Sequence, residues 1–250
     1  MVRAMYRKLA RAWGPQHWWP ADAAFEVIVG AILTQNTSWK NVERALASLR
    51  AAGVLDLAGI RAMPVADLEG LVRSSGYYRQ KADRVKSFVS FVDQKYGGSL
   101  ERMFATPTSQ LRTELLSLKG IGAETADAIL LYAGNHEIFV VDAYTRRILE
   151  RHAAVKSGAK YDEIRTLVER SLRKETSAEP VSKKAGSERP QVHPPSTMST
   201  TKRTQVTQVY NEMHGLFVQI GKYHCQKQQA QCEQCPLRSL LPTNDAARSA

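Results

Sequence analysis

Residues 118–134 read LKGIGAETADAILLYAG. Gly120 and Gly122 lie two apart between helical apolar patterns, so the stretch predicts a tight turn joining two helices. Without a Cβ, glycine lets the backbone approach another group closely. The helix after the turn begins with N–H groups that have no partner inside it and with the positive end of its dipole. Together these suit a phosphate oxygen. A plain connection between packed helices is the alternative, and a G-x-G by itself does not choose between them. Glu124, an acidic residue opening the second helix, raises a further question about what the turn serves.

The rest of the chain narrows the choice. There are 35 Lys and Arg against 24 Asp and Glu, a formal net charge of +11. This points to a polyanionic partner, nucleic acid first, because each neutralised phosphate releases counterions. Apolar residues make up 43% of the 250, enough to bury a core in one large domain or two small ones. No apolar run is long enough to span a bilayer, so a membrane is not an expected partner. The first residues, MVRAMYRKLARAW, are basic and amphipathic and lack the apolar stretch and cleavage site of an export signal; they read as a first helix. A cytoplasmic location is expected. Cys225, Cys232 and Cys235 fall close together near the C-terminus, which suits a metal or cluster site better than a disulfide framework.

Helical periodicity recurs along the chain. AFEVIVGAILTQ is apolar enough to be buried, and NTSWKNVERALASLRAAG, DLAGIRAMPVADLEGLVRSSG and YYRQKADRVKSFVSFVDQKYGG each run to a glycine. YDEIRTLVERSLRK and VYNEMHGLFVQIGKY continue the pattern after the turn. Between them, residues 175–204 are rich in Ser, Thr, Pro and Lys and almost free of large apolar side chains, and are expected to be a disordered insertion. No β alternation appears, and the expected fold class is all-α.

Asp142, in IFVVDAYTRRILERH, immediately precedes a helical run, where an aspartate serves as N-cap. It could also present a carboxylate to a reacting centre. The combination carries the argument further. L-x-G-I-G-x-x-T-A-x-x-I-L followed by V-V-D resembles the helix-hairpin-helix and aspartate signature of the endonuclease III superfamily of DNA glycosylases. AILTQNTSWKNV, SGYYRQKADRVK and GKYHC-x6-C-x2-CPL resemble further motifs of that family in the same order, so the likeness covers about residues 20–240 apart from the insertion.

The resemblance implies two interleaved helical lobes, about 22–142 and about 1–21 plus 143–240, with a DNA-binding cleft between them and a tail from 241. It implies a flipped nucleotide as substrate. The hairpin residues Lys119, Gly120, Ile121, Gly122 and Thr125 would hold a phosphate, and Gln35 would fill the space the base leaves. Asp142 matches the family's essential carboxylate, which stabilises positive charge on C1′ and orients or deprotonates water. Glu124 stands where bifunctional members have a lysine nucleophile. A glutamate forms no Schiff base, so the resemblance implies hydrolysis without strand cleavage; Lys119 is the nearest other amine. Trp18 and Trp19, in HWWP, are core residues or a stacking surface for an electron-poor base. With T-Q-N-T-x-W and Glu124 they resemble the 3-methyladenine branch of the superfamily.

Cys225, Cys232 and Cys235 match three of the four ligands of that family's [4Fe–4S] loop, and Leu241 occupies the fourth position. Three readings stay open: a cluster held by three thiolates and another ligand, zinc with His224 or His214 completing the set, or a loop that binds nothing. Lys222, Lys227 and Arg238 would face phosphate. The expected partner is damaged double-stranded DNA, bound by a monomer without an obligate protein partner. Rival activities are a bifunctional glycosylase/lyase, a mismatch glycosylase, and a non-catalytic binder of DNA structures.

Overall fold

The structure, a computed structural model, describes residues 1–175 and 193–242. Those residues are helical with no strand among them, as the periodicity predicts. They form two compact units, one of residues 1–20 with the chain from 137 onward, the other of residues 21–136.

The first unit begins with α1 (Val2–Trp13), which buries Val2, Met5, Tyr6, Leu9 and Trp13 at helical spacing. The second unit is built around α2 (Ala24–Leu33), buried on every side from Phe25 to Leu33. Its one charged member, Glu26, is paired with Arg50 of α3 (Trp39–Ala51). The run predicted over DLAGIRAMPVADLEGLVRSSG divides into α4 (Leu57–Ala62), α5 (Val65–Leu71) and a 3₁₀ turn at Arg73–Ser75. Pro64 is the cause: it drives Met63 to an extended conformation (ψ 135°) and ends α4.

Next comes α6 (Tyr78–Tyr96), closed by Gly97 in the left-handed region, then α7 (Leu100–Phe104). Lys81 of α6 is buried, 1% exposed, and donates to the carbonyls of Leu33 (2.8 Å) and Ser75 (2.7 Å). It thereby caps the C-terminus of α2 and ties the 3₁₀ turn to it. Burial, then the nearby Arg84 charge, lowers its pKa to about 8. The hairpin is formed by α8 (Thr108–Ser117) and α9 (Ala123–Ala128), the latter continuing into a π-helical turn, Ile129–Ala133.

The first unit resumes with an extended segment and α10 (Ala143–Arg151), α11 (Tyr161–Leu172), α12 (Thr197–Thr200) and α13 (Gln205–Tyr223). α13 is its spine: α1, α10 and α11 all pack on it, and every residue from Val209 to Gly221 is buried. The boundary between units falls at 136/137, earlier than the motif-based 142/143. Residues 137–142 belong with α11 and α13 because the Phe139 amide donates to Glu169 (3.0 Å), the Val141 amide to Tyr161 (3.2 Å), and the Phe139 ring meets Tyr210 edge-on.

Both ends of the expected disordered insertion are ordered. Glu175 is buried and pairs with Arg3 (2.8 Å) and Arg7 (2.9 Å) of α1. Ser196 and Ser199 form a capping box that starts α12, Met198 is buried, and the Ser196 hydroxyl donates to the Trp19 carbonyl (3.1 Å). Composition treats a Ser/Thr run as a chain without a core, whereas here its hydroxyls act as caps and one methionine anchors it. The remainder of that expectation, 176–192, and the tail 243–250 lie outside the described residues.

Candidate active site and cysteine loop

In the second unit the hairpin turn forms as predicted. Gly120 has φ +85°, and a Cβ there would lie 2.2 Å from Nε of Arg84, so both conformation and space require glycine. Gly122 has ordinary φ and open space around it. Ile121 is buried and anchors the turn, while Lys119 and Glu124 are exposed. The two hairpin helices are tied by Arg112 and the fully buried Asp127, through bonds of 2.7 and 3.2 Å. Gln35 is brought to the same place: its amide donates to the Gly120 carbonyl (2.9 Å) and the Thr125 hydroxyl (2.9 Å), and its oxygen accepts from Arg84. Arg84 was not singled out from the sequence; its position three after Lys81 in Y-R-Q-K-A-D-R puts the two on neighbouring faces of α6.

In the first unit Asp142 caps α10, accepting from the Thr145 amide at 2.7 Å. Its other oxygen lies 3.6 Å from Nε2 of His214 on α13, with both side chains largely buried, 12% and 6% exposed. Burial would push the carboxyl up, but the neighbouring His214 imidazole and the bond from the Thr145 amide outweigh it and hold Asp142 below its ordinary value. The Phe139 ring meets His214 edge-on and holds the imidazole against the carboxylate. Beside the pair, burial and the Asp142 charge raise the Tyr144 phenol.

Two glycines make this arrangement possible. A Cβ on Gly215 would lie 3.0 Å from Cβ of Trp18, and one on Gly221 would lie 2.2 Å from the Tyr144 ring. Trp18 and Trp19 are buried at 5% and 6% exposure and meet edge-on. Lys222 lies over the Trp18 ring at 5.6 Å, and His193 packs on the same indole. Thus α13 carries, on adjacent ridges, the partners of the carboxylate and of the indole.

Beyond α13 the chain enters the cysteine loop. Cys225, Cys232 and Cys235 line one cavity with His152, His224 and Leu241. Arg151 donates to Sγ of Cys225 (3.2 Å), and the Leu237 amide to Sγ of Cys235 (3.4 Å). Arg147 bonds the Cys225 carbonyl (2.7 Å) while its guanidinium lies over the Tyr144 ring at 5.1 Å. Lys227 and Arg238 are exposed, and Lys222 is half-buried.

The model of the HhH-GPD superfamily of base excision DNA repair proteins matches residues 29–174. The chain belongs to that superfamily. A protein of Methanocaldococcus jannaschii, named as a candidate DNA repair glycosylase, is 40% identical over 242 residues, covering 96% of this chain and 95% of that one. Endonuclease III of Thermotoga maritima is 26% identical over 239 residues, covering 96% and 91%. Among solved structures, the 3-methyladenine DNA glycosylase MagIII of Helicobacter pylori, bound to 1,N6-ethenoadenine, superposes with a TM-score of 0.68 at 26% identity, covering 88% of this chain and 97% of that one. A trapped endonuclease III–DNA complex superposes at 0.71 with 20% identity, which speaks for the HhH-GPD fold.

The donor set of the loop fits the iron–sulfur group this superfamily implies. Three soft thiols line one cavity, and the sulfurs of Cys225 and Cys235 accept hydrogen bonds from Arg151 and the Leu237 amide. Leu241 lines the cavity but supplies no ligand atom. Among the described residues no three His, Cys, Asp or Glu side chains converge closely enough to share a single metal ion. Nor is any described helix long and apolar enough to cross a membrane.

Proposed function

We propose that this chain is a monofunctional DNA glycosylase that hydrolyses the N-glycosidic bond of a flipped, alkylated purine such as 3-methyladenine. The observation that carries the reading is Asp142: a carboxylate held ionised in a largely buried site, oriented by the Thr145 amide and by His214. As the bond to the base lengthens, positive charge builds on C1′ of the deoxyribose. A fixed, already desolvated carboxylate stabilises that charge without reorganisation. The same carboxylate orients the attacking water and takes its proton, while the electron pair of the breaking bond leaves with the base. An N3-alkylated adenine is cationic and departs readily, so a site with one carboxylate suffices.

Glu124 supports hydrolysis over lyase chemistry, since it places a carboxylate, in the first turn of α9, where the resemblance expects an amine. The likeness to MagIII supports an alkylated adenine. Trp18, with Lys222 over one face and Gly215 beneath it, supports the pocket as a structural wall as much as a stacking face. Gln35 would enter the duplex by releasing Arg84 and the hairpin, with Thr125 and the Gly120–Gly122 turn left to receive phosphate. A cluster in the cysteine loop, when bound, supplies cross-linking of the loop; hydrolysis itself uses Asp142 and water. The reading takes the protein as acting on DNA as a monomer.

The test is base release from methylated duplex DNA, scored separately for free 3-methyladenine and for strand breaks before alkali. Free base with intact strands is expected, with a loss of about 10²–10⁴-fold for Asp142→Asn and retained DNA binding. Strand breaks without alkali would overturn the monofunctional reading and implicate Lys119, the exposed hairpin amine. DNA binding with no base released from any alkylated duplex would favour a non-catalytic binder.

A further inference from the structure

In the cysteine loop the HhH-GPD resemblance leaves one ligand unaccounted for, because Leu241 stands at the fourth position. Leu241 still lines the same cavity as the three cysteines. The path of the chain is therefore kept and only the ligand atom is missing. A replacement must come from another side chain on that cavity, and two histidines line it, His152 and His224.

They differ in what their nitrogens are doing. Nδ1 of His152 is within 3.1 Å of the Leu240 carbonyl, so that nitrogen is occupied. Nδ1 of His224 is buried and has no hydrogen-bond partner among the described residues. Trp13 stacks on the His224 ring with centroids 5.7 Å apart and planes 16° from parallel, and the Gln231 amide donates to the His224 carbonyl (2.8 Å), fixing the backbone that carries the ring. A buried imidazole nitrogen facing no donor or acceptor can accept a bond from a metal, and His152 has no such buried, unpartnered nitrogen. A buried, unpaired ring nitrogen is otherwise a cost without a return.

The size of the group follows from the spacing. Zinc binds sulfur at about 2.3 Å and nitrogen at about 2.0–2.1 Å, so a zinc site would gather its ligands tightly. No such gathering is present among the described residues, although all four side chains border one cavity. Ligands spread around a cavity suit a group of several atoms.

We propose that His224 is the fourth ligand of this loop, completing a Cys225, Cys232, Cys235 and His224 set around a [4Fe–4S] cluster. Histidine in place of cysteine is neutral where the thiolate is anionic, so it raises the reduction potential of the cluster it binds. The inference concerns the loop alone and does not depend on which base the protein removes.

The full chain, isolated without oxygen, is expected to contain about four iron and four acid-labile sulfide per molecule. After reduction with dithionite, pulsed electron paramagnetic resonance on protein labelled with ¹⁵N-histidine is expected to show coupling to a histidine nitrogen. His152→Ala keeps that coupling. His224→Ala loses it, with iron falling towards three per cluster. His224→Cys also loses it but retains the full cluster, at a lower potential, which guards against a variant that merely fails to fold. Zinc in place of iron, no bound metal, no nitrogen coupling, or coupling that survives in His224→Cys would each overturn the proposal.

Discussion

Replacing Arg112 by methionine removes one half of the pair that joins the hairpin helices and leaves the other half buried. Asp127 is fully buried and Arg112 is 16% exposed, with bonds of 2.7 and 3.2 Å between them. Removing one partner from a buried ion pair costs about 3–5 kcal/mol, because the remaining charge keeps its desolvation penalty and loses its compensation. For a chain of this length each kcal/mol lowers the melting temperature by about 2–4 °C, so the drop expected is about 6–20 °C. Replacing both members together, Arg112→Met with Asp127→Leu, leaves no charge to desolvate. That double variant is expected to recover most of the loss, since apolar replacements of a whole buried pair are often close to neutral. Urea and thermal unfolding of the wild type, the two single variants and the double variant close the cycle. If Arg112→Met costs less than about 1 kcal/mol, or the double variant is as unstable as the singles combined, the pair is not what holds α8 to α9. DNA affinity measured far below the melting temperature then tests whether the turn keeps its shape when its brace is apolar.

Two further outcomes follow from titrating groups. Asp142 must be ionised to act, and its pKa is depressed, so base release is expected to persist as pH falls to the ordinary carboxylate range and to fail only below it. His214→Ala leaves burial opposed by the Thr145 amide with no imidazole, so the acid limb of the pH–rate profile moves up; an unmoved limb would show that His214 does not set the charge of Asp142. Lys81, with its pKa lowered to about 8 from 10.5, binds fewer protons in the folded than in the unfolded chain between those values, so its contribution to stability rises with pH across that window by about 3 kcal/mol. The neutral amine still has two N–H donors for the Leu33 and Ser75 carbonyls, and unfolding of wild type against Lys81→Met at both ends of the window should show the difference widening; a constant difference refutes it.

What the sequence made legible is what depends on neighbours in sequence. The turn at Gly120 and the cap at Asp142 are local: one is a backbone conformation, the other a bond to an amide three residues on. The all-α class follows from periodicity, which is also local. The partners of these residues are set by how helices lie against each other, and the same pattern is compatible with many registers. Hence Arg84 on Gln35 and His214 on Asp142 were out of reach. A signal for the second existed in VYNEMHGLFVQIGKY. Glycines inside a helix weaken it, so Gly215 and Gly221 in an otherwise apolar stretch mark places where something packs closely. Which side chains fill those notches, Trp18 and Tyr144, is decided by the fold. Residues 214 and 221 are two turns apart on one ridge, and 215 and 222 on the next. One helix therefore sets both the carboxylate and the indole, and its C-terminal end leads directly into the cysteine loop. Arg147 closes the connection, bonding the Cys225 carbonyl while lying over Tyr144. A loop held by a cluster would fix the end of α13, and loosening it would reach Tyr144 and Lys222 before the capped, locally determined Asp142.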